Sequence, residues 1–316
     1  MMKNLLFILL FCLTAAVAFG QQDRQNTQFM QYKLGYNPGY AGSYESACIT
    51  ALHRSQWLGL DGAPEATILT FNMPLFNQKV GIGLNLERFS LGLFEQYNMD
   101  GVYSYRIRLG QGSLGIGVQA SVRSIEGNFQ QSVAIEDPGL DESISMVQEN
   151  KFLFNFGSGI YYHSPKFYFG ISIPRFLKNN IDFAEEGNVI SREVNHFYMM
   201  TGYSIDLGEK TRMRPQVLVR YVDNAPIDAD ANLNFIFNNR YIIGATYRLG
   251  GDQKNGVGES IDLLVSAQLT NNLTFGVSYD ITLSELKEYS NGSIEVALQY
   301  CFGKSEGSEY VNPRFF

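Results

Sequence analysis

The chain has 316 residues, with 24 Lys+Arg against 31 Asp+Glu for a net charge of −7, and it carries 31 glycines, 19 tyrosines and 23 phenylalanines beside only 9 prolines. The acidic balance excludes the basic footprint of a nucleic-acid binder, and three histidines with three cysteines supply neither zinc-ligand spacing nor a disulfide framework. Abundant glycine and aromatics at 17% charged residues point to an all-β architecture of many strands.

Residues 1–20 carry one lysine, Lys3, then the apolar run LLFILLFCLTAAVAF, and end with the small residues Ala18 and Gly20 before Gln21. This is the pattern of a secretory signal peptide; the apolar core is short for a spanning helix and small residues follow it. Cys12 lies inside the run without the small residues that precede a lipid-attachment cysteine, so no lipid anchor is predicted. No later stretch reaches the roughly 18 uninterrupted apolar residues that a spanning helix needs. The chain is read as exported: periplasmic, secreted, or a barrel in the outer membrane.

The segment QFMQYKLGYNPGYAGSY, residues 28–44, has neither helical nor strand periodicity. Pro38 pushes Asn37 to an extended conformation, and Gly39 and Gly42 permit tight reversals. Residues 21–45 are expected to form a periplasmic or luminal segment. Tucking into a lumen as a plug and docking on a periplasmic partner both remain open.

From residue 48 onward apolar residues recur at period two. In VGIGLNLE, residues 80–87, Val80, Ile82, Leu84 and Leu86 oppose Gly81, Gly83, Asn85 and Glu87. The pattern repeats over 48–57, 66–72, 96–107, 113–123, 152–162, 167–173, 197–205, 213–221, 229–237, 241–249, 261–269, 273–281 and 294–302. That makes about 14 strands, near the ~9 to 11 residues that cross a bilayer. A soluble β-sandwich alternates too. Here the polar face carries Asp100, Arg106, Arg123, Arg220, Asp262, Asp280 and Glu295 among glycines, as a polar lumen does, while the other face is aliphatic and aromatic. Connections alternate between short (LGQG, HSPK, TNN) and long (124–150, 174–195, 250–260, 282–292), the rhythm of periplasmic turns and outer loops. The predicted fold is an all-β transmembrane antiparallel barrel over 46–302, with a periplasmic tail over 303–316. An even strand count is expected to put both termini in the periplasm.

The remaining motifs yield little chemistry. The Gly-x-Gly pairs at Gly81/Gly83, Gly115/Gly117 and Gly157/Gly159 sit inside strands rather than in a strand-turn-helix phosphate cradle, and are read as close packing or curvature of the wall. The run DNAPIDADAN, residues 223–232, lacks calcium-loop spacing and is read as a solvated outer loop. His196 beside Asn195 is the tempting catalytic position, but spacing assigns it no nucleophile, so no catalytic residue, metal or cofactor is expected. Cys48 and Cys301 fall at the same ends of the first and last strands, which closure makes neighbours. A seam disulfide in an oxidising compartment and two free lumen-facing thiols both fit that placement.

The opening segment and its continuation HRSQWLGLDGAPEAT resemble the amino-terminal signature of the PorP/SprF family, outer-membrane proteins of the type IX secretion system of Bacteroidota. Gln28, Phe29, Gln31, Tyr32, Asn37, Pro38, Ala41, Gly42, Arg54, Gln56, Trp57, Gly59, Gly62, Pro64, Thr67 and Pro74 carry the resemblance. At the far end YDIT, the stretch NGSIEVAL beginning at Asn291, Gly292 and Ser293, and the terminal NPRFF with Pro313 and Phe316 agree. Gly39 departs from the family's common alanine, and residues 124–195 hold no family motif. The resemblance implies a non-enzymatic platform in outer-membrane lipid for type IX secretion or gliding adhesins. Its implied partners are periplasmic and lipoprotein subunits of the machine and cargo with a C-terminal sorting domain. A channel or hydrophobic-solute transporter shares the same periodicity.

Overall fold

The computed structural model describes residues 24–128, 149–181, 191–223, 225–250 and 258–303. The signal peptide expected over 1–20, together with Pro313 and Phe316, lies outside the described residues. Among the described residues, 14 antiparallel strands close into one barrel. In chain order they are β1 (Cys48–Ser55), β2 (Glu65–Leu75), β3 (Val80–Leu91), β4 (Phe94–Leu109), β5 (Gly112–Gly127), β6 (Glu149–His163), β7 (Phe167–Ile173), β8 (His196–Tyr203, continued by Ile205–Asp206), β9 (Thr211–Val222), β10 (Asp228–Phe237), β11 (Tyr241–Arg248), β12 (Ser260–Gln268), β13 (Leu273–Thr282) and β14 (Ser293–Cys301). Each strand pairs with the next, and β14 returns to β1 in a register running from Cys48↔Cys301 to Ser55↔Ile294. Closure leaves no edge strand, the condition for placing a sheet in lipid.

The barrel is apolar outside and polar inside. On β6, Phe152, Phe154 and Phe156 are 64%, 66% and 52% exposed, whereas the intervening Leu153 and Asn155 are buried. Asp100, Arg106, Arg220, Asp262, Asp280 and Glu295 all lie buried on the inner face. In water this arrangement would expose a continuous apolar belt; in a bilayer the belt is solvated by acyl chains.

Local chemistry explains the irregular points. Pro215 sits within β9 and has no N–H to donate to β8, and β8 is interrupted beside it at Ser204. Pro174 ends the short β7. Asn238 and Asn239 take φ of 52° and 51° in the turn between β10 and β11, the left-handed pair that suits a tight hairpin.

Two expectations are corrected. β4 and β5 have 16 residues and β6 has 15, longer than the span of a bilayer, because the β4–β5 ladder runs unbroken to Phe94↔Gly127. The acidic run read as a solvated loop instead enters β10, where Asp228 and Asp230 are buried and paired with Arg220. The strand ends at Cys48 and Cys301 lie on the short-turn side, and from residue 24 the chain ahead of β1 runs through the lumen from the other end. There Arg24 pairs with Glu87 and lies over the Phe89 ring. Strand parity fixes where strands begin and end; it says nothing about a segment that precedes them.

Cys48 and Cys301 are joined by a disulfide across the β1–β14 seam, at a sequence separation of 253. A cross-link of this kind typically contributes about 2–4 kcal/mol. Denatured, unreduced protein lacking residues 1–20, and with them Cys12, should therefore take up no maleimide, and reduction should free both thiols and lower the temperature at which the barrel unfolds on a heat-modifiability gel. Labelling without reduction would show the thiols free.

Candidate functional site

The lumen is filled by residues 24–44. Phe29, Tyr32, Lys33, Leu34, Tyr36, Tyr40, Ala41 and Tyr44 are buried there, and all but Lys33 form one cluster of side chains with Tyr161, Tyr168, Tyr198, Met200 and Leu218 of the wall. Three short turns shape the segment: Phe29–Gln31, Lys33–Tyr36 and Pro38–Tyr40. Asn37 is extended at φ −141°, ψ 111°, as a residue before proline must be, and its Oδ1 accepts from the Gly39 N–H at 2.8 Å to cap the third turn.

A segment this irregular leaves backbone groups without partners in its own chain, and the wall supplies them. Asn37 Nδ2 donates to the carbonyls of Ile160 and Ile171 at 3.0 and 3.2 Å. Ser172 Oγ donates to the Tyr36 carbonyl at 2.6 Å, and the Gly42 N–H donates to Asn72 Oδ1 at 2.6 Å. Arg106 Nη1 donates to the Ala41 carbonyl at 3.3 Å and to Ser43 Oγ at 2.8 Å. The Tyr40 ring meets Tyr161 edge-on at 5.1 Å, and Tyr36 packs on Tyr198 at 5.3 Å. The Lys33 ammonium lies 3.9 Å from the centre of the Tyr168 ring, a cation–π contact in place of water.

The wall glycines make this approach feasible. A Cβ at Gly81, Gly115 or Gly117 would strike the main-chain carbonyls of Ala41, Gly39 or Pro38, and one at Gly159 would strike Asn37 Oδ1. Of the Gly-x-Gly positions that sequence reasoning assigned to wall packing, Gly81, Gly115 and Gly117 pack against the segment's backbone, Gly83 and Gly159 against its Leu34 and Asn37 side chains, and Gly157 against the main chain at Pro174. Gly39 itself is surrounded by backbone atoms of Tyr161, Gly115 and Gly159, so its role is close contact, whereas Gly42 is required by its φ of 75°.

Toward the long-loop end the segment docks on buried charge. Arg54, Arg220 and Arg248 are held among Asp228, Asp230, Asp262, Asp280 and Glu295, with Arg54–Asp280 at 2.6 Å and Arg248–Asp230 at 3.0 Å. The carboxylates outnumber the guanidiniums, and the segment supplies further donors. Both Glu295 oxygens accept backbone N–H groups, from Thr27 at 2.9 Å and Gln28 at 2.7 Å, and Thr27 Oγ1 donates to Asp280 at 2.7 Å. Glu193, from the connection after β7, reaches Arg123 at 2.7 Å.

Residues 18–300 match the family described as type IX secretion system membrane protein PorP/SprF. The chain belongs to the PorP/SprF family. Its fold is similar to that of the CymD monoaromatic hydrocarbon channel, with TM-score 0.52 and 12% identity over 90% of this chain and 95% of that one. The TodX deltaS2S3 mutant monoaromatic hydrocarbon channel gives TM-score 0.50 and 10% identity over 84% and 93%. At these identities the likeness concerns the barrel alone. The Acinetobacter baumannii outer membrane protein Omp33 gives 0.47 and 8% over 81% and 98%. No curated protein matches the chain.

Most of the PorP/SprF signature residues fall into two separate places, while Thr67 and Pro74 lie within β2. Gln28, Phe29, Gln31, Tyr32, Asn37, Pro38, Ala41 and Gly42 belong to the luminal segment, and Arg54 is the wall arginine that donates to Thr27 Oγ1 at 3.0 Å. Gln56, Trp57, Pro64, Asn291, Gly292 and Ser293 instead form a clasp at the long-loop rim. Gln56 N–H donates to the Pro64 carbonyl at 2.9 Å, Trp57 N–H to Ser293 Oγ at 3.2 Å, and Leu58 N–H to the Gly292 carbonyl at 2.8 Å. Asn291 N–H returns to the Leu58 carbonyl at 2.7 Å. Sequence reasoning did not single out Asn72, Ser104, Ser172, Tyr161 or Tyr168 as segment contacts. Their signal was their inward parity, shared with the glycines.

Asn37→Ala removes two wall hydrogen bonds and a cap, a loss of roughly 1–3 kcal/mol. The barrel should still form, and trypsin should gain access to Lys33, which is buried in the parent; unchanged cleavage would contradict the seating. Arg54→Met leaves Asp280 and Glu295 without one of their cations and should destabilise by about 3–5 kcal/mol, read as a lower heat-modification midpoint.

Proposed function

We propose that this PorP/SprF protein is a plugged, non-enzymatic platform of the type IX secretion machinery. It holds partner subunits, and cargo with a C-terminal sorting domain, at the outer membrane. The observation that carries the reading is the luminal segment. Residues 24–44 are bonded to the wall along the depth of the lumen, from Glu87 and Glu295 near the long loops to Arg106 near the short turns. A lumen occupied in this way favours a scaffold over a conduit, since a conduit requires that segment to leave. The short turns face the periplasm in this reading, as in other barrels of the outer membrane. Residues 303–316, which follow β14 in the sequence, are read as a periplasmic tail for machine subunits.

A strain lacking the protein, compared with its parent for surface and extracellular proteins at intact membrane integrity, tests the platform. One or a few large proteins with C-terminal sorting domains should vanish from the surface and accumulate inside; an unchanged exported proteome would refute the role. Planar-bilayer conductance tests the plug. The full chain should be closed and a variant lacking residues 21–45 should conduct, whereas a stable open pore in the full chain would favour a channel or solute transporter.

A further inference from the structure

The end of the lumen opposite the acidic cluster is basic. At the short-turn mouth a cavity of about 940 Å³ is lined by the cations Lys79, Arg106, Arg108 and Arg212 and by His163, whose Nε2 accepts from Arg106, with Glu45 as the acidic member of its lining. This concentration of positive charge occurs in a chain whose net charge is −7. Arg106 and Arg108 occupy inward positions of β4, the parity of Asp100 and Ser104, so their charge is directed within the ring of strands rather than toward lipid. Arg106 is buried, anchors the end of the luminal segment and donates to His163 Nε2 at 2.5 Å, while its Nε has no hydrogen-bond partner among the described residues. Arg212 is held by Asp206 at 3.2 Å. Lys79 and Arg108 are exposed. Low-dielectric walls around like charges focus the field into the mouth and draw in counter-charge.

The turn that bears Lys79 lines the cavity with Asn77 and Gln78 and carries the exposed Phe76 just outside that lining. Phe76, Asn77 and Gln78 take φ of 49°, 55° and 64°, a run of left-handed residues without glycine, and Phe76 is 75% exposed. Such strain is retained where a surrounding structure or a function requires the shape. The turn sets an exposed ring beside a basic cavity.

We propose that this mouth is a recognition site for an acidic peptide segment, carboxylate side chains interspersed with apolar ones, presented by a periplasmic protein. A cavity near the upper end of the ~300–1,000 Å³ range of ligand pockets, with cations spread around it, suits an extended segment better than a single small anion. The identity of the partner as a secretion subunit rests on the platform reading above; the chemistry of the site does not.

The test uses the purified full-length protein in detergent and a fluorescein-labelled hexaglutamate peptide as probe, with hexalysine as control. The parent should bind hexaglutamate and lose it as salt is raised. The double variant Lys79→Glu/Arg108→Glu should weaken binding by about tenfold or more. Lys79→Arg/Arg108→Lys should retain it, and Arg88→Glu at the opposite rim should leave it unchanged. Heat-modifiable mobility shows that each barrel is folded. Absence of binding, equal binding by the charge-reversed protein, or displacement by inorganic phosphate beyond that of chloride at equal ionic strength would overturn the proposal. The binding assay judges the cavity and the exported proteome judges the platform, so the two can fail separately.

Discussion

The interior depends on one close approach: the backbone of Asn37–Gly42 lies directly against the main chain of β3, β5 and β6. A side-chain carbon at Gly81, Gly115, Gly117 or Gly159 would occupy that space. With backbones this near, the segment's carbonyl and amide groups lose water and must be satisfied by the wall. Asn72, Arg106 and Ser172 do so, and Asn37 returns the favour to two wall carbonyls. The tyrosines then pack around the contact, each ring filling lumen that water would otherwise occupy. Take away the glycines and neither the hydrogen bonds nor the ring contacts are reachable.

The two ends of the lumen use charge differently. Near the long loops carboxylates exceed arginines, and the segment's N–H and hydroxyl donors on Glu295 and Asp280 make up part of the difference. Near the short turns cations exceed carboxylates, and the exposed Lys79 and Arg108 open to solvent. The first arrangement is closed and structural; the second leaves charge available to a partner. The proposed acidic-peptide site rests on this asymmetry.

Much of the fold was legible because a barrel in lipid enforces a simple rule. Every strand alternates, so parity alone assigned Asp100, Arg220 and Glu295 to the lumen and Phe152, Phe154 and Phe156 to the exterior. Boundaries were less legible: β4 and β5 outrun the bilayer because their ladder continues where hydrophobic alternation has already faded. The acidic residues of β10 looked like a loop because the arginines that neutralise Asp228 and Asp230 come from β9 and β11, distant positions that spacing within the run does not reveal. The signature from Gln28 to Pro64 read as one motif, yet it serves both the luminal segment and the rim clasp.

The sequence by itself determined the strand number, the inward and outward faces and the family, since each is written in local pattern or in residue identity along the chain. Only the tertiary structure decided where the opening segment goes, what the glycines face and which charges meet. Those depend on strands far apart in sequence being curved into one ring, and that curvature brings Asn37 to Ile160 and Thr27 to Glu295.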